Sequence, residues 1–136
     1  MFAKDYLKQY ENAVKRAREL QKEYDDELEQ IDNIRSSLGG DGLPRSGEIS
    51  RKVERQALKL SEKAEELKVA EVEAIAIRNE IFRTVMRVPD EKGSVLYERY
   101  ILLKKWDEIA DSVGYTVRHI HNIHREGLNY LDKILN

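Results

Sequence analysis

The chain has 136 residues, with 24 Lys/Arg against 26 Asp/Glu and a formal net charge of −2. That balance argues against a nonspecific nucleic-acid coat, which needs a strongly basic surface, and the absence of cysteine excludes a disulfide framework and a thiolate metal site. With 37% charged residues, long helices are favoured over a thick core. No apolar run approaches the ~18 residues that span a bilayer, and the opening MFAKDYLKQYENAVKR lacks the apolar core of a signal peptide. A cytoplasmic protein with no membrane partner is expected.

From Ala3 to about Ile34 the apolar residues step by three and four. Ala3, Tyr6, Tyr10, Ala13, Ala17, Leu20, Tyr24, Ile31 and Ile34 mark two columns of a heptad, with Glu27 as the one break. Leu7, Val14 and Leu28 lie beside them. No Gly or Pro interrupts the stretch, so the spacing predicts a helix of roughly 30 residues, about 50 Å long. The segment SSLGGDGLPRSG, residues 36–47, then holds four glycines and a proline. It predicts a loop or turn, with Ser46 or Ser50 capping the next helix.

Val53, Leu60, Leu67, Ala74, Ile81 and Val88 recur every seventh residue, flanked by Ala57 and Ala64 and then by Ala70 and Ile77. A strict seven-residue repeat predicts a left-handed supercoil against another helix. Two such helices joined by a glycine-rich turn form an antiparallel hairpin. A lone two-helix hairpin buries little, so pairing with a second chain is expected. Tyr10, Ala17, Tyr24, Ile31, Val53, Leu60 and Leu67 are the candidate oligomerisation positions. The surface between the seams is mixed, with nine Lys/Arg and eight Asp/Glu over residues 48–88, which reads as a solvated face.

Val88-Pro89-Asp90 predicts the end of that helix, since the residue before proline disfavours helical angles, and Pro89 suits the first turn of the next. That next helix runs through Val95, Leu96, Tyr100, Ile101 and Leu103, with Arg99 expected outward or in an interhelical salt bridge. Trp106, Ile109, Ala110 and Val113 then share one face of a short helix, and Trp106 is its expected core anchor. Gly114 can end that helix and Thr116 can cap another, in which Ile120, Ile123, Gly127, Leu128 and Leu131 follow helical spacing. Arg118, His119, His121, Asn122 and Arg125 lie on the opposite face. Two short helices joined by a glycine turn have the form of a helix-turn-helix, whose second helix enters a DNA major groove. Residues 89–136 carry seven Lys/Arg and eight Asp/Glu, a sum of −1, so affinity must come from a few well-placed cations.

The stretch VLYERYILLKKWDEIADSVGYTVRHIHNIHREGLNYLDKIL resembles region 4 of bacterial sigma factors. The resemblance lies in an apolar-Arg-Tyr helix, an E-I-A helix ending in Gly-Tyr, then Thr-x-x-x-Ile-x-x-Ile and a closing Leu-x-x-Leu. The whole chain, with its LPRSG and Val-Pro-Asp junctions, resembles a family of Firmicute phage and prophage proteins grouped with ArpU- and RinA-type transcriptional regulators. The fold implied is all-α: a long coiled-coil-like antiparallel helical hairpin over residues 1–88 for oligomerisation, then a small sigma region 4-like helix-turn-helix domain over residues 89–136. The resemblance implies DNA contacts from Val117, Arg118, His121, Asn122 and Arg125. Arg118 would read guanine, Asn122 adenine and Val117 a thymine methyl, with Tyr115 and Thr116 near phosphates. Two positions depart from the family pattern. Lys105 stands where a Thr or Ser cap is common and offers a phosphate contact instead, and His121 stands where arginine is frequent.

His119, His121 and His124 do not converge as three metal ligands, because His119 points about 140° away from His124 on a helix. No phosphate loop, nucleophile–base pair or carboxylate cluster points to an enzyme, and no cofactor is expected. The expected partners are double-stranded DNA and a second copy of the chain, as homodimer or higher homo-oligomer, with RNA polymerase a further one. Three functions fit: a dimeric transcription regulator of phage or prophage genes, a sigma-like polymerase-associated factor, and a DNA-packaging protein of the small-terminase kind.

Overall fold

The computed structural model describes residues 2–38 and 46–136; Leu43, Pro44 and Arg45 of the glycine-rich loop lie outside the described residues. Among the described residues there are five α-helices and no strand: α1 Ala3–Leu38, α2 Ser46–Val85, α3 Asp90–Tyr100, α4 Trp106–Val113 and α5 Val117–Leu135. None of these helices is long and apolar enough to cross a membrane.

The chain forms two compact units, Met1–Val14 with Glu73–Asn136, and Lys15–Val72. The expected boundary at residues 88/89 therefore runs through the first unit. The reason is a shared core. Ala3 and Leu7 at the start of α1 are fully buried with Ile81, Val85 and Val88, with Leu96, Tyr100 and Ile101, and with Leu131 of α5. Two polar contacts fix this packing: Ala3 N donates to Asp132 Oδ1 at 2.7 Å, and the Tyr6 and Thr84 hydroxyls share a hydrogen bond of 2.9 Å. The tyrosine hydroxyls on the apolar face need such partners, since a buried O–H without one is costly.

In the second unit, Leu20, Ile31 and Ala70 are buried. Lys63 Nζ meets Glu23 Oε2 at 3.0 Å, and Gln56 Nε2 donates to Glu27 Oε2. As the α1 partner rises from 23 to 27, the α2 partner falls from 63 to 56, the order that antiparallel helices require. Glu27, the break in the first heptad, thus faces Gln56, itself buried at 8% exposure. The flanking column of α2 is Gln56, Lys63, Ala70 and Ile77; Ala57 and Ala64, expected beside the seam, are exposed.

α2 stops at Val85 in a tight turn, in which Arg87 N donates to Thr84 O at 3.1 Å and Val88 N to Val85 O at 3.0 Å. Pro89 takes an extended conformation as the N-cap of α3 and so precedes the helix it was expected to begin. α3 ends at Tyr100, and Leu103 lies beyond it in left-handed backbone at φ 56°. Arg99 closes this connection by donating from Nη1 to Lys104 O at 2.8 Å, while Lys104 Nζ pairs with Glu98 Oε1 at 3.0 Å. α3, α4 and α5 pack on one another, and Gly127 lets α5 approach the Leu96 side chain of α3, which a Cβ there would meet at 3.3 Å.

Gly93 is the tightest point of the junction, because a Cβ built there would lie 2.3 Å from the Val88 carbonyl oxygen. Backbone cannot yield as a flexible side chain does, so Gly93→Ala should destabilise the first unit by about 1–3 kcal/mol. A lowered midpoint in urea, with the slope unchanged, is the expected readout.

Candidate nucleic-acid interface

The turn between α4 and α5 is built as its residue types require. Gly114 sits in left-handed backbone at φ 75°, where a Cβ is disfavoured, and Tyr115 N donates to Ala110 O at 3.1 Å to close the helix end. Thr116, extended, accepts from His119 N at 3.1 Å and caps α5. At the start of α4 the lysine at position 105 has no acceptor to offer as a cap; instead Glu108 Oε1 accepts from Lys105 N at 3.4 Å.

From this cap the face of α5 divides by helical period. Ile120, Ile123, His124, Gly127 and Leu131 are buried. Val117, Arg118, His119, His121 and Arg125 are exposed, and Asn122 is half-buried. Arg125 Nη2 donates to Asn122 Oδ1 at 3.1 Å, so these two candidates act as a pair, while Lys105 is exposed at the N-terminus of α4. Tyr115 is otherwise engaged. Its hydroxyl donates to Glu91 Oε1, a bond that raises its pKa above the ordinary phenol value, and its ring meets His119 edge-on at 4.6 Å. A phosphate contact from that hydroxyl requires Glu91 to let go.

Several expectations are corrected. Val113 is 42% exposed; it is the last residue of α4, which is only eight residues long, and the burial on this face stops at Ala110. Trp106 is half-buried at the edge of the small cluster of Val95, Ile109, Ala110, Ile120 and Ile123. Its ring stands 4.6 Å from both His121 and His124, with the Arg99 guanidinium 4.4 Å from its centroid. Among the described residues Arg99 has no ion pair between helices; it holds a backbone carbonyl and the indole face together. His124, the last of the three histidines, is buried at 9% exposure, stacked on Tyr100 and sharing a 2.7 Å hydrogen bond between its Nε2 and the Tyr100 hydroxyl. Its position four residues after Ile120 and three before Gly127 was the available signal, since that spacing lies on the apolar column.

Trp106 thus touches both the Arg99 guanidinium and the exposed His121 imidazole of α5. Restricting that ring lowers the ordering entropy of any contact it makes. Acidic groups adjoin the same region: Asp107, Glu108 and Asp111 are all exposed on α4. Among the described residues no group of three His, Asp or Glu side chains is arranged to hold a metal. The candidate oligomerisation positions lie elsewhere, with Ile31 buried and Tyr10, Ala17, Tyr24, Val53, Leu60 and Leu67 half-buried within one chain.

The chain matches no protein-family model, no curated protein and no solved structure.

Burial lowers the His124 pKa from 6.5 to about 4, with Lys4, His121 and Arg99 adding unfavourable charge. The folded chain then keeps this ring neutral while the unfolded chain protonates it, so stability should fall as pH drops from about 6.5 toward about 4. The slope between pH 6.5 and 5, before carboxylates dominate, should be reduced in His124→Gln. Tyr100→Phe should cost about 1–3 kcal/mol at neutral pH by leaving the buried imidazole nitrogen unpaired, measured by urea unfolding.

Proposed function

We propose that α4, the Gly114 turn and α5 are a helix-turn-helix that reads double-stranded DNA, and that the protein is a sequence-specific regulator of phage or prophage transcription. The observation that carries this reading is the first half of α5, where Val117, Arg118 and His121 are exposed and Asn122 half-exposed, directly after the Thr116 cap. A helix N-terminus with free amides favours phosphate, and a planar guanidinium beside an amide supplies the guanine- and adenine-reading groups of a major-groove contact. The sigma region 4 resemblance of the same residues supports the transcriptional part.

Few cations serve this face, and residues 89–136 sum to −1, so one copy would bind weakly. Two copies reading paired half-sites would multiply the contacts. In this proposal α1 and α2 form the helical hairpin that joins them. A second copy would meet the open edge of the seam and the exposed Leu58, Val69 and Val72 of α2, which are 61%, 47% and 59% exposed.

Selection of genomic fragments by the purified chain tests the reading. One or a few enriched sequences are expected, and Arg118→Ala should weaken binding to them by about 1–3 kcal/mol at fixed salt with helix content unchanged. Absence of enrichment would sink it. Solution mass separates the relatives of this reading: a dimer fits the regulator, a many-subunit ring fits DNA packaging, and a complex with RNA polymerase fits a sigma-like factor.

A further inference from the structure

The first unit carries an open hollow of about 430 Å³ between the end of α2 and α3. Its apolar wall comes from Phe82, Met86, Tyr97 and Leu102, with the Phe82 and Tyr97 rings edge-to-face at 5.9 Å. Three of these side chains are unusually open for apolar groups gathered at one place: Phe82 is 37% exposed, Met86 66% and Leu102 44%. Apolar groups gathered in this way mark interaction surfaces, and an exposed methionine adapts to varied partners.

The charge of the hollow limits what can fill it. Two carboxylates, Asp90 and Glu98, line it, and no Lys or Arg does. Glu98 Oε1 accepts from Lys104 Nζ at 3.0 Å and from Ser112 Oγ at 3.4 Å, whereas Oε2 is buried with no hydrogen-bond partner among the described residues. Glu98 is thus already held by Lys104, and the exposed Asp90 is the carboxylate at the margin that an arriving cation can meet. An acidic or purely apolar occupant would leave Asp90 without a partner.

We propose that this groove docks a basic amphipathic helix of another protein, with apolar side chains set against Phe82, Met86 and Leu102 and a flanking Lys or Arg paired with Asp90. Helix-in-groove recognition uses this combination of apolar anchors at i, i+3, i+4 and i+7 with charge at the margin. The surface is independent of the α5 residues assigned to DNA.

The probe is a synthetic helical peptide with leucines at those four spacings and lysines on the flanks, titrated into the full chain and followed by backbone amide shifts. Shifts centred on Phe82, Ser94, Tyr97 and Leu102 are expected. Met86→Asp and Ser94→Lys, both at exposed positions, should each weaken binding at least about tenfold, and the peptide with glutamates for lysines should not bind. No shifts at these residues, equal binding of the acidic peptide, or unchanged affinity in both variants would overturn the proposal. Concentration-dependent shifts of the same amides without peptide would also overturn it, by showing that a second copy of the chain fills the groove.

Discussion

Leu7, Ile81, Leu96 and Leu131 are each completely withdrawn from water, and they come from four different helices. Burying a side chain of this size contributes about 1.5–3 kcal/mol relative to exposure, and here no two neighbouring segments could achieve it alone. α3, α4 and α5 form a small layer with a modest cluster of its own around Ile109 and Ile120. The larger cluster needs the first two turns of α1 and the last turns of α2 as its floor. The orientation of α5, and hence of everything on its exposed face, depends on that floor.

The helices were largely legible, because apolar periods of three, four and seven are direct consequences of helical geometry. So were the Gly114 turn and the Thr116 cap, whose residue types are dictated by backbone angle and by a free amide. The allocation of helix segments to units was not legible. Ala3, Tyr6 and Leu7 follow the same spacing as Leu20 and Ile31, and nothing local distinguishes the turns that pack on α5 from those that pack further along α2. His124 shows a different limit. Its spacing placed it on the apolar column, but a histidine pattern of 119, 121 and 124 invites reading by residue type. Its hydrogen bond to Tyr100 spans 24 positions, a pairing that periodicity does not encode. The Glu27–Gln56 contact is similar: the heptad break was visible, and its partner was not.

The exposed face of α5 also shows how a nearly neutral segment can present a usable surface. Arg99 is spent on the Lys104 carbonyl and the Trp106 ring, and Lys104 on Glu98. Arg118 and Lys105 are exposed, and Arg125 is tied to Asn122. The formal sum over the segment therefore counts charges that are internally committed. In the proposed DNA complex, acidic side chains on α4 and Glu91 beside Tyr115 would repel a phosphate backbone placed out of register.

The bond from the Ala3 amide to Asp132 joins positions 129 residues apart. Its consequence concerns the order in which the protein can form. Made from its amino end, the chain exposes Ala3 and Leu7 long before Leu131 exists to cover them, and the closing contact must await nearly the whole length of the polypeptide. Contacts of such separation slow folding, since the loop entropy is lost before the burial is gained. For the same reason residues 89–136 excised by themselves would lose the cover that Ala3, Leu7, Ile81 and Val85 give to Leu96, Tyr100 and Leu131.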